Sequence, residues 1–249
     1  MEPRILLTND DGFEAEGLRR MLGALAEIGR VTVVAPEGEQ SGTSHALTLH
    51  RPLRVRQRGE GEFSVDGTPT DCVHLALSQL LERPPDLVAA GINLGTNLGE
   101  DVTYSGTVAA ALEAALFGLP AFAISLQQNS EAPDFGPAAA FGREVARRIL
   151  HHGLPPGTFL NVNVPCGSPA AVHLTRQGLR TYHLEPRQAA GEGRLLWVRR
   201  NRADWPEDPE ADATAVRLGR ISVTPLHVDW THHLARDRIR RWGLTGSGD

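Results

Sequence analysis

Residues 5–12 read ILLTNDDG, a short apolar run followed by two adjacent carboxylates and a glycine. The apolar run predicts a strand over residues 5–9, and Gly12 marks the turn that follows. Open α/β sheets bind their ligands beyond the carboxyl ends of the strands, which is where Asp10 and Asp11 lie. Two like charges this close favour a cation between them, and a divalent metal with oxygen ligands supplies one. The stretch therefore indicates a metal site at a sheet edge, although a helix cap followed by a solvated turn explains the same residues.

The first half of the chain continues to alternate strand and helix signals. Further strands are predicted at residues 31–35, 86–92 and 121–125, and helices at residues 16–28, 70–81, 107–117 and 137–151. Repeated β-α-β units with apolar strands are typical of an α/β fold. The sequence therefore predicts a Rossmann-like, mostly parallel sheet with helices on both faces.

The second half of the chain has a different pattern. Alternating residues at 159–164, 195–198 and 221–224 indicate strands of a smaller, β-rich C-terminal region. A helix is expected over residues 229–242, with Leu234, Ile239 and Trp242 available for packing. We therefore expect a Rossmann-like catalytic domain at residues 1–125 and a smaller C-terminal region, used for oligomerisation, at residues 126–249.

Composition excludes several classes of protein. The formal net charge of −5 over 249 residues argues against a general nucleic-acid binder. No apolar stretch is long enough to cross a membrane, and the N-terminus lacks a signal-peptide pattern. Cys72 and Cys166 are too few for a disulfide scaffold and indicate a cytoplasmic setting. All 25 basic residues are arginine, which excludes a Walker A loop and a lysine Schiff base.

Three more loops follow successive strands of the predicted sheet. Residues 40–44 carry Ser41, residues 91–99 place Asn93 and Asn97 among three glycines, and residues 104–108 open a helix at Ser105. Each loop alone also has a purely structural explanation, as a turn, as left-handed asparagines or as N-capping by Ser105. Because parallel strands end at one edge, the loops converge there, where hydroxyls, amides and a helix start can bind a metal or phosphate.

In these motifs the chain resembles the SurE family, the survival-protein nucleotidases. The resemblance rests on TNDDG at residues 8–12, VVAP at 33–36 with Ser41 following, DGTPTDCV at 66–73, GINLGTNLGEDVTYSGTV at 91–108 and ISVTPL at 221–226. It is tighter in the N-terminal half than in the C-terminal half. It implies a metal-dependent hydrolase, a 5'-nucleotidase that converts nucleoside monophosphates to nucleoside and phosphate.

The resemblance also implies the residues of the site and the partners. One divalent ion per subunit, Mn, Mg or Co, is expected to be bound by Asp10, Asp11, Ser41 and Asn93. The phosphate is expected to be bound by Asn97, Ser105, Gly106 and Thr107, with Asn9 at its border. The catalytic candidates are Asn9, Asp10 and Asp11. A homodimer or homotetramer is expected, with a hairpin and C-terminal segment exchanged between subunits. Residues 229–242 are either that arm or an ordinary helix packed on its own domain. No stable nucleic-acid or membrane partner is expected.

For the chemistry, direct attack by a metal-activated water is favoured over an aspartyl-phosphate intermediate, because the chain lacks a lysine and a D-x-D spacing. Asp10 and Asp11 both remain candidates for orienting or deprotonating that water. The candidates for the general acid are His45, His50, His232 and His233. A nucleotide-binding module without catalysis is the competing class, although a carboxylate pair without metal repels phosphate. A Rossmann dehydrogenase is excluded because no G-x-G-x-x-G follows the first strand.

Overall fold

The structure, a computed structural model, describes residues 2–129, 132–182 and 203–242. Within these ranges the strands are β1 (Arg4–Thr8), β2 (Arg30–Pro36), β3 (Val55–Gly59), β4 (Glu62–Val65), β5 (Leu87–Leu94), β6 (Ala121–Leu126), β7 (Thr158–Val164), β8 (Val172–Leu174), β9 (Thr181–Tyr182), β10 (Ala203–Asp204) and β11 (Ile221–His227). The α-helices are α1 (Glu16–Leu25), α2 (Pro69–Leu75), α3 (Gly106–Leu116), α4 (Gly136–His152), α5 (Asp212–Arg217) and α6 (His233–Arg240).

Nine of the described strands form one sheet, in the order β3-β4-β2-β1-β5-β6-β7-β11-β8. The strands from β4 to β7 in that order are all parallel, while β3 and β11 pair antiparallel with β4 and β7. The prediction of a Rossmann-like, mostly parallel sheet is therefore confirmed. The carboxyl ends of β1, β2, β5, β6 and β7 meet at one edge, which is the edge where such sheets bind ligands.

Helices cover both faces of the sheet. Ile5 and Leu7 of β1 pack in a core cluster with residues of α1 and α4, whereas Leu6 between them packs in a second cluster with residues of α2 and α3. This alternation follows from the strand geometry, which directs successive side chains to opposite faces. The apolar runs of the sequence are thus buried on both sides, as a parallel sheet requires.

Helix ends differ from the sequence-based expectation by more than one residue in three places, the first being α1, which ends at Leu25 rather than at residue 28. The helix expected over residues 70–81 begins one residue earlier, at Pro69, after a capping box in which Thr68 Oγ1 accepts from Asp71 N and Asp71 Oδ2 accepts from Thr68 N. It is α-helical only to Leu75 and continues as a π-helical turn over Ala76–Leu80. The helix expected over residues 229–242 is confined to α6.

The main sheet continues past residue 126, because β7 pairs with β6 and β11 pairs with β7. The strand expected at residues 195–198 lies outside the described residues. On either side of that gap, β9 and β10 form an antiparallel pair. The division of the chain into a catalytic domain and an oligomerisation region stays a prediction.

The segment at residues 229–242, which contains α6, has no buried apolar side chain. Trp230 is 76% exposed, Leu234 81% and Trp242 65%. None of the described helices is both long and apolar enough to cross a membrane.

Candidate metal and phosphate site

Asp10 lies at the carboxyl end of β1, with its side chain against the first turn of α3. Its Oδ1 accepts a hydrogen bond from the Thr107 hydroxyl, and its carboxylate also accepts from the backbone N–H groups of Gly106 and Thr107. The residue is 4% exposed. Burial raises the pKa of Asp10, and these hydrogen bonds offset only part of that increase. The carboxylate is therefore fixed in place but short of compensating charge.

Asp11 lies close enough to Asp10 to feel its charge but has fewer partners. Its Oδ2 accepts from the backbone N–H of Leu94 at 3.2 Å. Burial, then the negative charge of Asp10 and finally that of Glu39, raise the pKa of Asp11 to about 7. No basic side chain of the described residues forms an ion pair with either carboxylate. A buried acid and a partly buried one without a counter-charge are a donor set that suits a divalent cation.

Gly106 allows the helix start to come this close to Asp10. A Cβ atom at this position would lie 2.9 Å from Asp10 Cβ and 3.1 Å from Asp10 Oδ2, closer than packed carbon atoms tolerate. The first turn of α3 is thus shaped around the carboxylate. We call this close packing of Gly106 on the Asp10 side chain the cradle. The cradle and the acid pair together fit a site that binds a metal and a phosphate.

Asn93 and Ser41 complete the predicted set of metal ligands, and they differ in whether their side-chain oxygen is available to a metal. Asn93, near the end of β5, donates its Nδ2 to Gly95 O at 2.6 Å, which leaves Oδ1 as the potential ligand. Ser41 lies on an exposed loop that is joined to the site by Gln40 N, which donates to Asp10 O at 2.7 Å. Its hydroxyl, however, donates to Glu39 Oε1 at 2.9 Å. Backbone bonds therefore tie the Asn93 and Ser41 segments to the acid pair, while the Ser41 hydroxyl itself is engaged elsewhere.

Three of the residues predicted to bind phosphate, Ser105, Gly106 and Thr107, lie at the N-terminus of α3. Ser105 is the N-cap, and its Oγ accepts from Val108 N at 3.1 Å, so the capping interpretation holds for this serine. The N–H groups expected to bind an anion point at Asp10, together with the Thr107 hydroxyl. Asn9 precedes Asp10; its Nδ2 donates to Gly12 O, and its buried Oδ1 has no hydrogen-bond partner among the described residues.

Asn97 is enclosed by hydrogen bonds that the sequence did not indicate. Its backbone N–H and C=O are bound by the side chains of Asn161 and Asn163 on β7, and its Nδ2 donates to Ser125 Oγ on β6 at 2.9 Å. One available signal was the N-x-N spacing at 161 and 163, which puts both side chains on one face of a strand. Glu39 was also missed as a third acid close to Asp11.

The histidines considered for acid catalysis have other partners. His45 contacts Glu113 Oε2 at 2.7 Å, His233 contacts Asp229 Oδ2 at 3.0 Å, and His232 caps α6 by accepting from Ala235 N. His50 is exposed. Across the described ranges no group of three or more His, Cys, Asp or Glu side chains is arranged to hold a metal. A metal at the acid pair would thus depend on neutral oxygen ligands.

Comparisons with known proteins show the family of this chain. The family model described as "Survival protein SurE" matches residues 5–184. The chain is similar to "5'-nucleotidase SurE" of Geobacter sulfurreducens, at 47% identity with 97% of this chain and 94% of the relative covered. The protein of the same name from Syntrophotalea carbinolica is 46% identical, with 98% and 99% covered. The crystal structure of the SurE protein from Aquifex aeolicus superimposes with a TM-score of 0.88 at 39% identity, over 96% of this chain and 99% of that one.

Proposed function

This chain belongs to the SurE family, and we propose that it hydrolyses nucleoside 5'-monophosphates to nucleoside and phosphate with the help of one divalent metal ion per subunit. Its similarity to chains named 5'-nucleotidase extends over almost the full length, so both halves of the enzyme are represented. The single observation that carries the proposal is the Asp10–Asp11 pair, which has no cationic partner among the described residues: Asp10 is buried against the start of α3, and Asp11 lies partly buried beside it.

Asp10, Asp11, Asn93 and Ser41 would hold the metal. When bound there, a divalent ion supplies charge stabilisation for the phosphoryl oxygens and increases the acidity of a water molecule, and Mn, Mg and Co are the candidates. The carboxylates and the Asn93 amide oxygen are hard oxygen donors of the type such ions prefer. The Ser41 hydroxyl would have to leave Glu39 to join them.

The phosphate would be bound by Asn9, Asn97, Ser105, Gly106 and Thr107. The helix dipole at the start of α3 favours an anion at that place. The Gly106 and Thr107 N–H groups, which point at Asp10, would have to be shared with the phosphate. An amide Nδ2 has two N–H bonds, and Ser125 accepts only one from Asn97. The other N–H remains for a phosphate oxygen.

The two carboxylates would have different tasks in the reaction. Asp10 is held by Thr107 and by two backbone N–H groups, so it is a fixed ligand. Asp11 has a single hydrogen bond, from Leu94, and is freer to orient the attacking water. We prefer this water attack to an aspartyl-phosphate intermediate, and a phosphoaspartate trapped at Asp10 or Asp11 would contradict it.

The experiment that tests this function is phosphate release from a panel of nucleoside 5'- and 3'-monophosphates. The protein is assayed after chelation and again after addition of Mn, Mg or Co. We expect release from 5'-monophosphates only when a metal is present. Absence of metal-dependent release from every monoester would contradict the proposal and favour a nucleotide-binding module without catalysis.

We also propose that the chain works as a cytoplasmic homodimer or homotetramer in which the C-terminal segment is exchanged. The exposed Trp230, Leu234 and Trp242 support the exchange, because a monomer rarely leaves so many large apolar side chains in contact with water. Cys72 and Cys166 are both free thiols, which agrees with a reducing compartment.

A further inference from the structure

The loop that carries Asn97 leaves the sheet after β5 and returns to it only at the start of α3. Residues 95–105 therefore connect a proposed metal ligand, Asn93, to the proposed phosphate site at Ser105. We propose that Asn163 and Asn161 are positioning residues, which hold Asn97 over the ends of β6 and β7 and so fix the phosphate-binding loop. This inference rests on the proposed function, because it assigns Asn97 to the phosphate.

The side chain of Asn163 pairs with the backbone of Asn97 as a neighbouring strand would. Its Oδ1 accepts from Asn97 N at 2.8 Å, and its Nδ2 donates to Asn97 O at 3.1 Å. Asn161, two residues earlier on the same face of β7, donates its Nδ2 to the same carbonyl oxygen at 2.8 Å. Both backbone groups of Asn97 are thus bound by side chains from one strand, across more than 60 residues of sequence.

The loop is held at a second point close by. Gly99 N donates to Asp212 Oδ2 at 2.9 Å, and Asp212 Oδ1 accepts from Gly178 N at 3.0 Å. With Asn97 and Gly99 fixed, the remaining residues before Ser105 form a 3-10 turn over Gly99–Thr103. Release of Asn97 would therefore move the phosphate loop while Asp10 and Asp11, which follow β1, keep their own contacts.

Asn161 is not the residue that stability alone would favour at its position. The side chain is fully buried, and its Oδ1 has no hydrogen-bond partner among the described residues. An unpaired buried acceptor destabilises a protein, whereas an apolar side chain of similar size would not. What the asparagine provides is the donor to Asn97 O.

The neighbouring strands supply a matched control. Thr175 Oγ1 on the loop after β8 lies 2.8 Å from both Ser222 Oγ and Thr224 Oγ1 of β11, in a buried hydroxyl cluster. Thr224 pairs in register with Asn161, and its hydroxyl contacts Thr175 and Ser222 rather than Asn97 among the described residues. Thr224→Val therefore disturbs buried polar packing next to β7 without releasing the loop.

The test compares Asn163→Ala, Asn161→Ala and Thr224→Val with the full-length wild-type protein. Binding of inorganic phosphate to the metal-loaded protein is measured by titration calorimetry, metal affinity by the dependence of the melting temperature on metal concentration, and KM and kcat with a nucleoside 5'-monophosphate. The calorimetric readout does not depend on turnover, so failure of the proposed function is recognised separately, as a wild-type protein that binds phosphate but releases none.

We expect Asn163→Ala to weaken phosphate binding and raise KM by about tenfold, as loss of supporting hydrogen bonds does at other ligand sites. Asn161→Ala should act in the same direction with a smaller factor, and metal affinity and Thr224→Val should stay within about twofold of wild type. Unchanged phosphate affinity in Asn163→Ala would overturn the inference. So would a loss of phosphate affinity in Thr224→Val as large as that in Asn163→Ala, or an equally large loss of metal affinity in Asn163→Ala. If Asn163→Ala does not fold, Asn161→Ala decides by the same criterion.

Discussion

Thr107 donates its hydroxyl hydrogen bond to Asp10, which joins the first turn of α3 to the end of β1 within the candidate site. The two residues are 97 positions apart in the sequence, so the contact depends on the parallel sheet that brings both loops to one edge. The helix start that should attract a phosphate is therefore also the support of a proposed metal ligand. A change at either residue should disturb both functions.

Replacement of Asp10 or Asp11 by asparagine should abolish phosphate release while the fold remains. The amide keeps the shape of the side chain but removes the charge that binds the cation, so we expect kcat/KM to fall by more than about a hundredfold. Circular dichroism should be unchanged. Asp86→Asn is the control, because Asp86 is exposed at the opposite end of the strands, where it accepts from Arg4 N. Near-normal activity of Asp10→Asn or Asp11→Asn with added Mn or Mg would contradict the metal assignment.

Removal of the metal should destabilise the protein measurably. Burial raises the pKa values of Asp10 and Asp11, which means that the folded chain holds their charges unfavourably without a cation. Ligand binding to the native state alone stabilises it by about 2.7 kcal/mol at a hundredfold excess over Kd. We expect Mn or Mg to raise the melting temperature of wild type, and to have little effect on Asp11→Asn. A melting temperature that no divalent ion changes would count against the site.

Gly106→Ala should impair the site because of the space it fills. The added Cβ would lie 2.9 Å from Asp10 Cβ, so either the carboxylate or the first turn of α3 must shift. We expect weaker binding of both metal and phosphate, and a melting temperature below that of wild type. Gly23→Ala in α1 is the matched control, because nothing lies within 4 Å of its added Cβ. That variant should gain about 0.5–1 kcal/mol of stability with unchanged activity. Equal metal binding, phosphate binding and melting temperature in Gly106→Ala and Gly23→Ala would contradict the proposed role of Gly106 in shaping the site.

Glu113 should contribute stability that depends on pH. Its burial acts to raise the pKa, but hydrogen bonds from His45 and then His74 act in the other direction, and the net effect is a lowered pKa. A carboxyl with a lowered pKa in the folded state stabilises the protein above its unfolded-state value of 4.5, and this contribution is lost as the pH falls through the folded-state value. Glu113→Gln should therefore reduce the free energy of unfolding at pH 7, and the difference from wild type should shrink below about pH 4.

The control for this pH dependence is Glu16→Gln. Glu16 forms an exposed pair with Arg20 on α1, and such pairs contribute only about 0.3–0.5 kcal/mol. A difference between Glu113→Gln and wild type that is the same at pH 4 and pH 7 would show that the ion pairs are not its cause.

Much of the fold could be predicted from the sequence, because apolar runs such as residues 87–92 and the helical spacing of Leu18, Met21 and Leu25 are local signals. The position of Asp10 and Asp11 at a strand end followed in the same way. Local signals do not say which sheet a strand joins, so the pairing of β7 with β6 across residue 126 was not foreseen. Nor could the sequence reveal that Asn163 binds the backbone of Asn97, because that contact exists only after the sheet is assembled.

The exposed segment at residues 229–242, which contains α6, should hold the copies of the chain together. Leu234 is 81% exposed, and burial against a second copy would contribute about 1.5–3 kcal/mol for each such side chain. We expect light scattering to give a mass that is a multiple of 26.9 kDa for wild type, and Leu234→Asp to shift the protein toward the monomer. Leu218→Asp is the control, since Leu218 is 53% exposed at the end of α5, apart from this segment. A monomeric wild type, or equal dissociation in both variants, would contradict exchange of the arm, because only α6 should be sensitive to a charge at its apolar positions.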